Sequence, residues 1–360
     1  MHMLSRMLPG VALAVIAAAS DASFAGSLSS TEVRVKPALT SDDGDKSVNI
    51  SGINCMPPAD GRRICLVIDD EGRLAQAAAL EGDQLSGGGK VRILGKSPPP
   101  GIVGAEPEAV RCSKGGDKFK DLDGEAVAYD GTDFYVSGSH GCSRHSNKFH
   151  PSSFVLARIP QAFVAKALTA EDDIVDDPSV QTSFRLSEAL LLAPHVKDFF
   201  AVDLMEANGL NIEGLLVANG KLYAGLRAPV LAGQAFVIEV PVAPLFDAAR
   251  PLKQADVSEH PLSLGSRGIR DLAPMPDGRI LVLGGPAQDA DVDFALYVVD
   301  PSGGWKARQI GVIDDLPGSS SETKAEAVYV LAQSGARLDV LVMFDGPKNG
   351  GPRHYTITME

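Results

Sequence analysis

One short phrase heads an apolar run at several places in this chain of 360 residues, and it limits the possible folds more than any other feature. Leu122-Asp123-Gly124-Glu125-Ala126-Val127, Asn211-Ile212-Glu213-Gly214-Leu215-Leu216, Ile269-Arg270-Asp271-Leu272-Ala273 and Lys324-Ala325-Glu326-Ala327-Val328 each place a carboxylate at the start of a candidate β-strand. A weaker copy, Ile50-Ser51-Gly52-Ile53-Asn54, lacks the acid. A supersecondary unit repeated around an axis brings equivalent positions together, so Glu125, Glu213, Asp271 and Glu326 are expected to meet at one place.

Short apolar strands separated by turn residues follow each head. Behind Glu213 come 215–218, 221–226, 235–240 and 257–262; behind Asp271 come 272–275, 279–283, 294–299 and 306–313. Behind Glu125 come 126–129, 133–137, 153–159 and 182–186. Asn219-Gly220 and Asp277-Gly278 supply the tight turns within two of these units. Four strands per unit is the pattern of a β-propeller blade. The last unit offers only 325–331, 338–344 and 354–359, and the alternating stretch Thr31–Lys36 has no unit of its own. Pairing the two closes the ring. The expectation is an all-β, five-bladed propeller over 26–360, with six blades as the alternative if an insertion near 97–120 or 161–210 hides another.

Met1–Arg6 is positively charged, Met7–Ser20 is almost wholly apolar, and Ser23-Phe24-Ala25 has small residues where a signal peptidase reads. Residues 1–25 are therefore expected to be a signal peptide. The apolar stretch is shorter than the roughly 20 residues that span a bilayer, so no membrane insertion is expected. Export to the periplasm or the exterior also fits four cysteines, Cys55, Cys65, Cys112 and Cys142, read as two disulfides. Cys55 and Cys65 flank a turn and pair across a hairpin, which leaves Cys112 with Cys142. A formal net charge of -13 excludes a general electrostatic grip on nucleic acid, which needs a basic stripe.

In an antiparallel hairpin the start of the first strand and the end of the second share an edge. His140, Arg227 and Asp345 fall at such ends, and Arg270 and Lys324 lie beside the heads. The candidate ligand site therefore comprises Glu125, His140, Glu213, Arg227, Arg270, Asp271, Lys324, Glu326 and Asp345. Glu125, Glu213, Asp271 and Glu326 are candidate ligands for Ca²⁺, which prefers several oxygens. Arg227 and Arg270 are candidates to hold an anion bidentately. Glu125 or Glu213 with His140 is a candidate general acid–base pair. The plainer alternative is that the acids tie neighbouring blades together through backbone amides or through Arg270 and Lys324. His140, His145 and His150 crowd one loop but match no familiar zinc spacing. Ser86–Val91 lacks the spacing and hydroxyl of a phosphate loop, and no G-x-S-x-G or H-E-x-x-H motif occurs.

The phrases Leu210-Asn211-Ile212-Glu213-Gly214-Leu215, Tyr223–Val230 with its Gly-Leu-Arg-Ala-Pro core, Gly268–Leu272 and Ser137-Gly138-Ser139-His140 resemble a bacterial family known as domain of unknown function 3616, from about Ser47 onward. That resemblance implies a propeller and no particular activity. More loosely, the Glu-Gly strand heads are similar to phytase-like and esterase-like propellers, which implies Ca²⁺ and phosphate-ester chemistry. The leading expectation is a module that binds a small anionic or metal-bridged ligand, or a protein partner, at the channel mouth. The alternative is a Ca²⁺-dependent phosphoesterase or esterase.

Overall fold

In a computed structural model the described residues are 28–359, apart from 109–110, 114–118, 120, 145, 171–173, 289 and 319–322. The expected signal segment, His145 and the acidic run 171–173 lie outside them.

The first strands are β1 (Ser29–Glu32) and β2 (Arg34–Val35). Blade 1 holds β3 (Ile50–Cys55), β4 (Arg62–Asp69), β5 (Leu74–Glu81) and β6 (Gln84–Arg92). Blade 2 holds β7 (Gly124–Tyr129), β8 (Asp133–Gly138), β9 (Leu156–Pro160) and, after β10 (Ile174–Val175), β11 (Gln181–Ser183). Blade 3 is β12 (Asn211–Ala218), β13 (Lys221–Ala228), β14 (Gln234–Pro241) and β15 (Ser258–Ser263). Blade 4 is β16 (Gly268–Pro274), β17 (Ile280–Gly285), β18 (Phe294–Asp300) and β19 (Lys306–Ile313). Blade 5 is β20 (Lys324–Ser334), β21 (Arg337–Asp345) and β22 (Arg353–Thr358), completed by β1. The strands β3, β7, β12, β16 and β20 contact one another in a closed ring, so the protein is a five-bladed β-propeller.

Sheets pack face to face, which explains strands apolar on both sides. All six residues of β3 and of β17 are buried. Leu216 and Val237 of blade 3 share a core with Leu272 and Val282 of blade 4, and Ile53 and Val67 of blade 1 pack on Leu341 and Met343 of blade 5. Each such side chain contributes roughly 1.5–3 kcal/mol on burial, so stability is distributed over the blade interfaces. The β12–β13 turn is the two-residue kind anticipated, since Asn219 and Gly220 both have positive φ and Ala218 faces Lys221.

The chain closes as expected but in a different register. Ser29–Glu32 pairs antiparallel with Arg353–Thr356, and the chain then crosses the seam so that Arg34 and Val35 pair parallel with Gln84 and Leu85 of blade 1. The expected strand 31–36 is thus split between two blades. Both disulfides form as read: Cys55–Cys65 bridges directly opposed residues of β3 and β4, and Cys112–Cys142 ties the 93–123 connection to the loop after β8. The 161–210 stretch carries α1 (Gln161–Leu168) and α2 (Arg185–Leu192), the second lying where a strand to Leu186 was expected. The buried Arg185 donates to the carbonyls of Pro244, Asp247 and Arg250, anchoring α2 to blade 3. Among the described residues no helix is long and apolar enough to cross a membrane.

Candidate functional site

Every strand head faces the end of the next strand: Ile50 pairs with Asp69, Gly124 with Gly138, Asn211 with Ala228, Gly268 with Gly285 and Lys324 with Asp345. The expected rim therefore exists. Each inner strand also slips register near its head, between Ile50 and Gly52, Gly124 and Ala126, Ile212 and Gly214, Ile269 and Asp271, and Ala325 and Ala327, with a second slip in β12 between Asn211 and Ile212. A bulge leaves one residue unpaired and re-aims it. The five unpaired residues are Ser51, Glu125, Glu213, Arg270 and Glu326.

This ring corrects the sequence reading at blade 4, where the equivalent of the three glutamates is Arg270 and not Asp271. Because side chains alternate along a strand, the one-residue offset sends Asp271 elsewhere. Its carboxylate accepts the N–H of Val328 in blade 5 and of Leu272, both at 2.8 Å, and so ties two blades. Burial raises its pKa well above the usual carboxylate range, against the lowering effect of those amides.

Arg270, 1 % exposed, bridges its neighbours in the ring. Its Nε lies 2.8 Å from Glu213 Oε2, near enough for an ion pair though not aligned as a hydrogen bond, and its Nη2 donates to Glu326. Arg227 Nη1 donates to Glu213 Oε1 at 2.9 Å, and its Nε to the Ala287 carbonyl. Lys324 pairs with Asp345 at 2.6 Å. Burial pushes Glu326 up to about 7 although Arg270 pulls it down. Glu213 and Glu326, read as Ca²⁺ ligands, are thus held by the protein's own guanidinium groups. Arg227 and Arg270, read as an anion clamp, are committed to carboxylates. Among the described residues no three His, Cys, Asp or Glu side chains gather as a metal would require.

Glu125 is different. Among the described residues its half-buried carboxylate has no hydrogen bond and no Lys or Arg within ion-pair distance. Burial, followed by the charges of Glu213, Asp123 and Asp70, raises its pKa well above the usual range. It lines a cavity of about 550 Å³ on the side of the channel mouth formed by blades 1–3. Asp42, Asp43, Asp70 and Glu71 face this cavity from blade 1 and the segment before it, and Asp121 and Asp123 from the approach to β7. Asp70 is pushed up to about 9 by burial and by Asp123, Asp345, Asp69 and Glu71, and its Oδ1 is buried without a partner. Asp123 accepts a hydrogen bond from Ser139 and Asp42 accepts one from the Arg73 amide. Asn211, 7 % exposed, also lines the cavity, and its Oδ1 is buried without a partner.

The cations on this wall are Arg73, Arg144 and the already paired Arg227. Burial works against the charge of Arg144, but the carboxylates of Glu125, Glu213 and Glu326 outweigh it. His140 stands behind the wall. It is fully buried with φ 54°, its Nδ1 donates to the Gly138 carbonyl at 3.0 Å, its Nε2 has no partner, and burial lowers its pKa to about 4. His150, read from the sequence only as part of a histidine-rich loop, lines the cavity instead. Sequence reasoning also passed over Asp123 and Asn211, which sit two residues before the heads of blades 2 and 3; their equivalence to Lys324 was a signal that could have found them. A second hollow of about 530 Å³ lies beside Met205, Val230 and Gln288, but Asn208 and Gln288 there are already bonded to backbone.

Fold and site together define a five-bladed β-propeller with an acidic cavity at one side of its channel mouth. The chain belongs to the family described as protein of unknown function (DUF3616), whose model matches residues 150–356. No curated protein matches the sequence. Among solved structures it is similar to a family GH43 β-1,3-galactosidase, at 10 % identity over 91 % of this chain and 60 % of that one, with a TM-score of 0.42. An exo-β-1,3-galactanase from Clostridium thermocellum matches at 10 % identity over 90 % of this chain and 62 % of that one, with a TM-score of 0.40. A 6-phosphogluconolactonase so described from Bacteroides fragilis matches at 9 % identity over 91 % and 97 %, with a TM-score of 0.38. The chain therefore spans less than two thirds of the length of the first two.

Proposed function

We propose that this is an exported propeller that binds a small polar ligand in the channel-mouth cavity, through carboxylates that have no counter-charge among the described residues. The observation that carries this reading is Glu125: of the three bulged glutamates, it alone has no basic partner among the described residues, while Arg270 and Arg227 serve Glu213 and Arg270 serves Glu326. A buried polar group without a partner costs about 1–3 kcal/mol, more when charged, and a ligand that presents hydrogen-bond donors recovers that cost on binding. An acidic wall favours donors and disfavours the anionic ligand expected from the sequence. Export rests on the N-terminal signal pattern and is supported by two disulfides. A Ca²⁺-assisted esterase would draw on Glu125, Glu213, Asp271 and Glu326, and the last three are engaged by Arg270, Arg227 or backbone amides.

Thermal shift with a panel of neutral polyols and amines, on wild type beside Glu125→Gln, tests the site. A binding compound raises the wild-type Tm and loses that effect in Glu125→Gln, whose own Tm is unchanged or higher. A ligand-induced shift retained in full by Glu125→Gln would remove the cavity from consideration.

A further inference from the structure

The charges at the channel mouth divide into two unequal parts. On the side of blades 3–5 the account is closed: Glu213, Glu326 and Asp345 each have Arg227, Arg270 or Lys324 against them. On the side of blades 1 and 2, Asp42, Asp43, Asp70, Glu71, Asp123 and Glu125 line one cavity, and among the described residues none has a Lys or Arg within ion-pair distance. Two polar atoms on the wall point to a ligand independently of that charge. Asn211 is 7 % exposed, with its Oδ1 buried and unbonded, and Asp70 Oδ1 is likewise buried and unbonded. Acceptors without donors call for a ligand carrying N–H or O–H groups. A bare metal ion does not meet the need, because no three candidate ligands converge among the described residues, whereas about 550 Å³ accommodates a small organic molecule.

We infer that the group recognised here is a small organic cation, a primary ammonium or a guanidinium, seated between Asp70 of blade 1 and Glu125 of blade 2, with Asn211 accepting a further N–H. This rests on the channel mouth being a ligand site and names the chemistry it takes. Charge-assisted hydrogen bonds from a cation to a carboxylate are about twice as strong as neutral ones, so a cation gains more here than an isosteric alcohol. Without a ligand, burial pushes Asp70 up to about 9 and raises Glu125 well above the usual carboxylate range, so both sites favour the protonated form more than a free carboxyl does. Arrival of the cation favours their ionised forms, so the proton on each carboxyl leaves to solvent as the ligand's N–H bonds form in its place.

Isothermal titration of the purified protein at pH 7.5 tests this, with 1,4-diaminobutane and agmatine as cationic probes and 1,4-butanediol and inositol as neutral ones. Repeating the titrations in phosphate and in Tris reads proton release as a buffer-dependent enthalpy. The expected result is binding of a cationic probe with net proton release and no measurable binding of the neutral probes. Glu125→Gln and, separately, Asp70→Asn should each weaken binding at least tenfold and release fewer protons. Neutral probes binding as tightly as the amines, without proton release, would overturn the cation inference and leave the ligand site standing. Failure of all four probes would count against both.

Discussion

Replacing Arg270 with methionine removes the one cation shared by two buried glutamates, and the size and pH dependence of the loss follow from the ring geometry. Arg270 is 1 % exposed and contacts both Glu213 and Glu326. Removing one partner of a buried ion pair costs about 3–5 kcal/mol, because the remaining charge stays desolvated. With an unfolding entropy of about 2.1 cal/mol/K per residue over roughly 330 residues, each kcal/mol moves Tm by about 1.4 °C, so Arg270→Met should lose about 4–7 °C at pH 8. At pH 5 the loss should shrink. Glu326 stands near 7 even with Arg270 pulling it down, so the variant moves it higher still. A carboxyl whose folded pKa lies above its unfolded value binds an extra proton in the folded state, so stability falls as pH rises between the two values. The deficit therefore opens from about pH 4.5 upward and is complete once pH exceeds the raised pKa. Calorimetric melting of wild type, Arg270→Met and the triple variant Arg270→Met/Glu213→Gln/Glu326→Gln at both pH values checks this. Equal losses at pH 5 and pH 8, with no recovery in the triple variant, would mean that Arg270 acts by packing and that the charge account is wrong.

Asp271→Asn should lower Tm by an amount equivalent to about 2 kcal/mol, because the new amide nitrogen faces a backbone N–H where a carboxylate oxygen stood, while any ligand-induced Tm shift is preserved. The double variant Cys112→Ala/Cys142→Ala opens a loop of sequence separation 30, worth about 3–4 kcal/mol in the loop-entropy model, so its Tm should match that of the wild type melted under reducing conditions once the Cys55–Cys65 contribution is subtracted with the corresponding variant. His140 should stay neutral down to about pH 5 by NMR. Its depressed pKa gives stability that is complete above about 6.5 and is lost as pH falls toward 4, a contribution on the order of 3 kcal/mol, and an imidazole titrating near 6.5 would contradict its burial.

Blade number, strand order, both disulfides and the shared rim were legible in the sequence, because hydrophobic period, turn residues and cysteine spacing act locally and consistently. The facing of the strand heads was harder. Matching copies by their acid aligned Asp271 with Glu213, whereas matching the flanking apolar residues, Ile212 with Ile269 and Leu215 with Leu272, aligns Arg270 with Glu213. The bulge that re-aims these residues leaves no mark in a two-residue period, so only the apolar frame could have revealed the offset. Which acids would be neutralised was not legible at all, since Arg270 reaches Glu213 and Glu326 from a position 57 residues after one and 56 before the other. The turn from strand to helix at Arg185 was missed because its buried guanidinium is satisfied by carbonyls more than fifty residues away.

The split closing segment bears on how this ring can come apart. Ser29–Glu32 covers the free edge of blade 5, and Arg34–Val35 covers the outer strand of blade 1 only two residues further on. Peeling that segment away would bare the edge of blade 5 and, across the seam, the part of β6 around Gln84 and Leu85, while β10 stays paired with Lys90 and Val91. Unpaired edges are templates for intermolecular pairing, and two of them on one molecule allow a chain of molecules to grow in both directions. The few residues that bridge the seam therefore guard against edge-to-edge pairing as much as they hold shape, and loss of this short stretch should promote intermolecular strand pairing before any blade has unfolded.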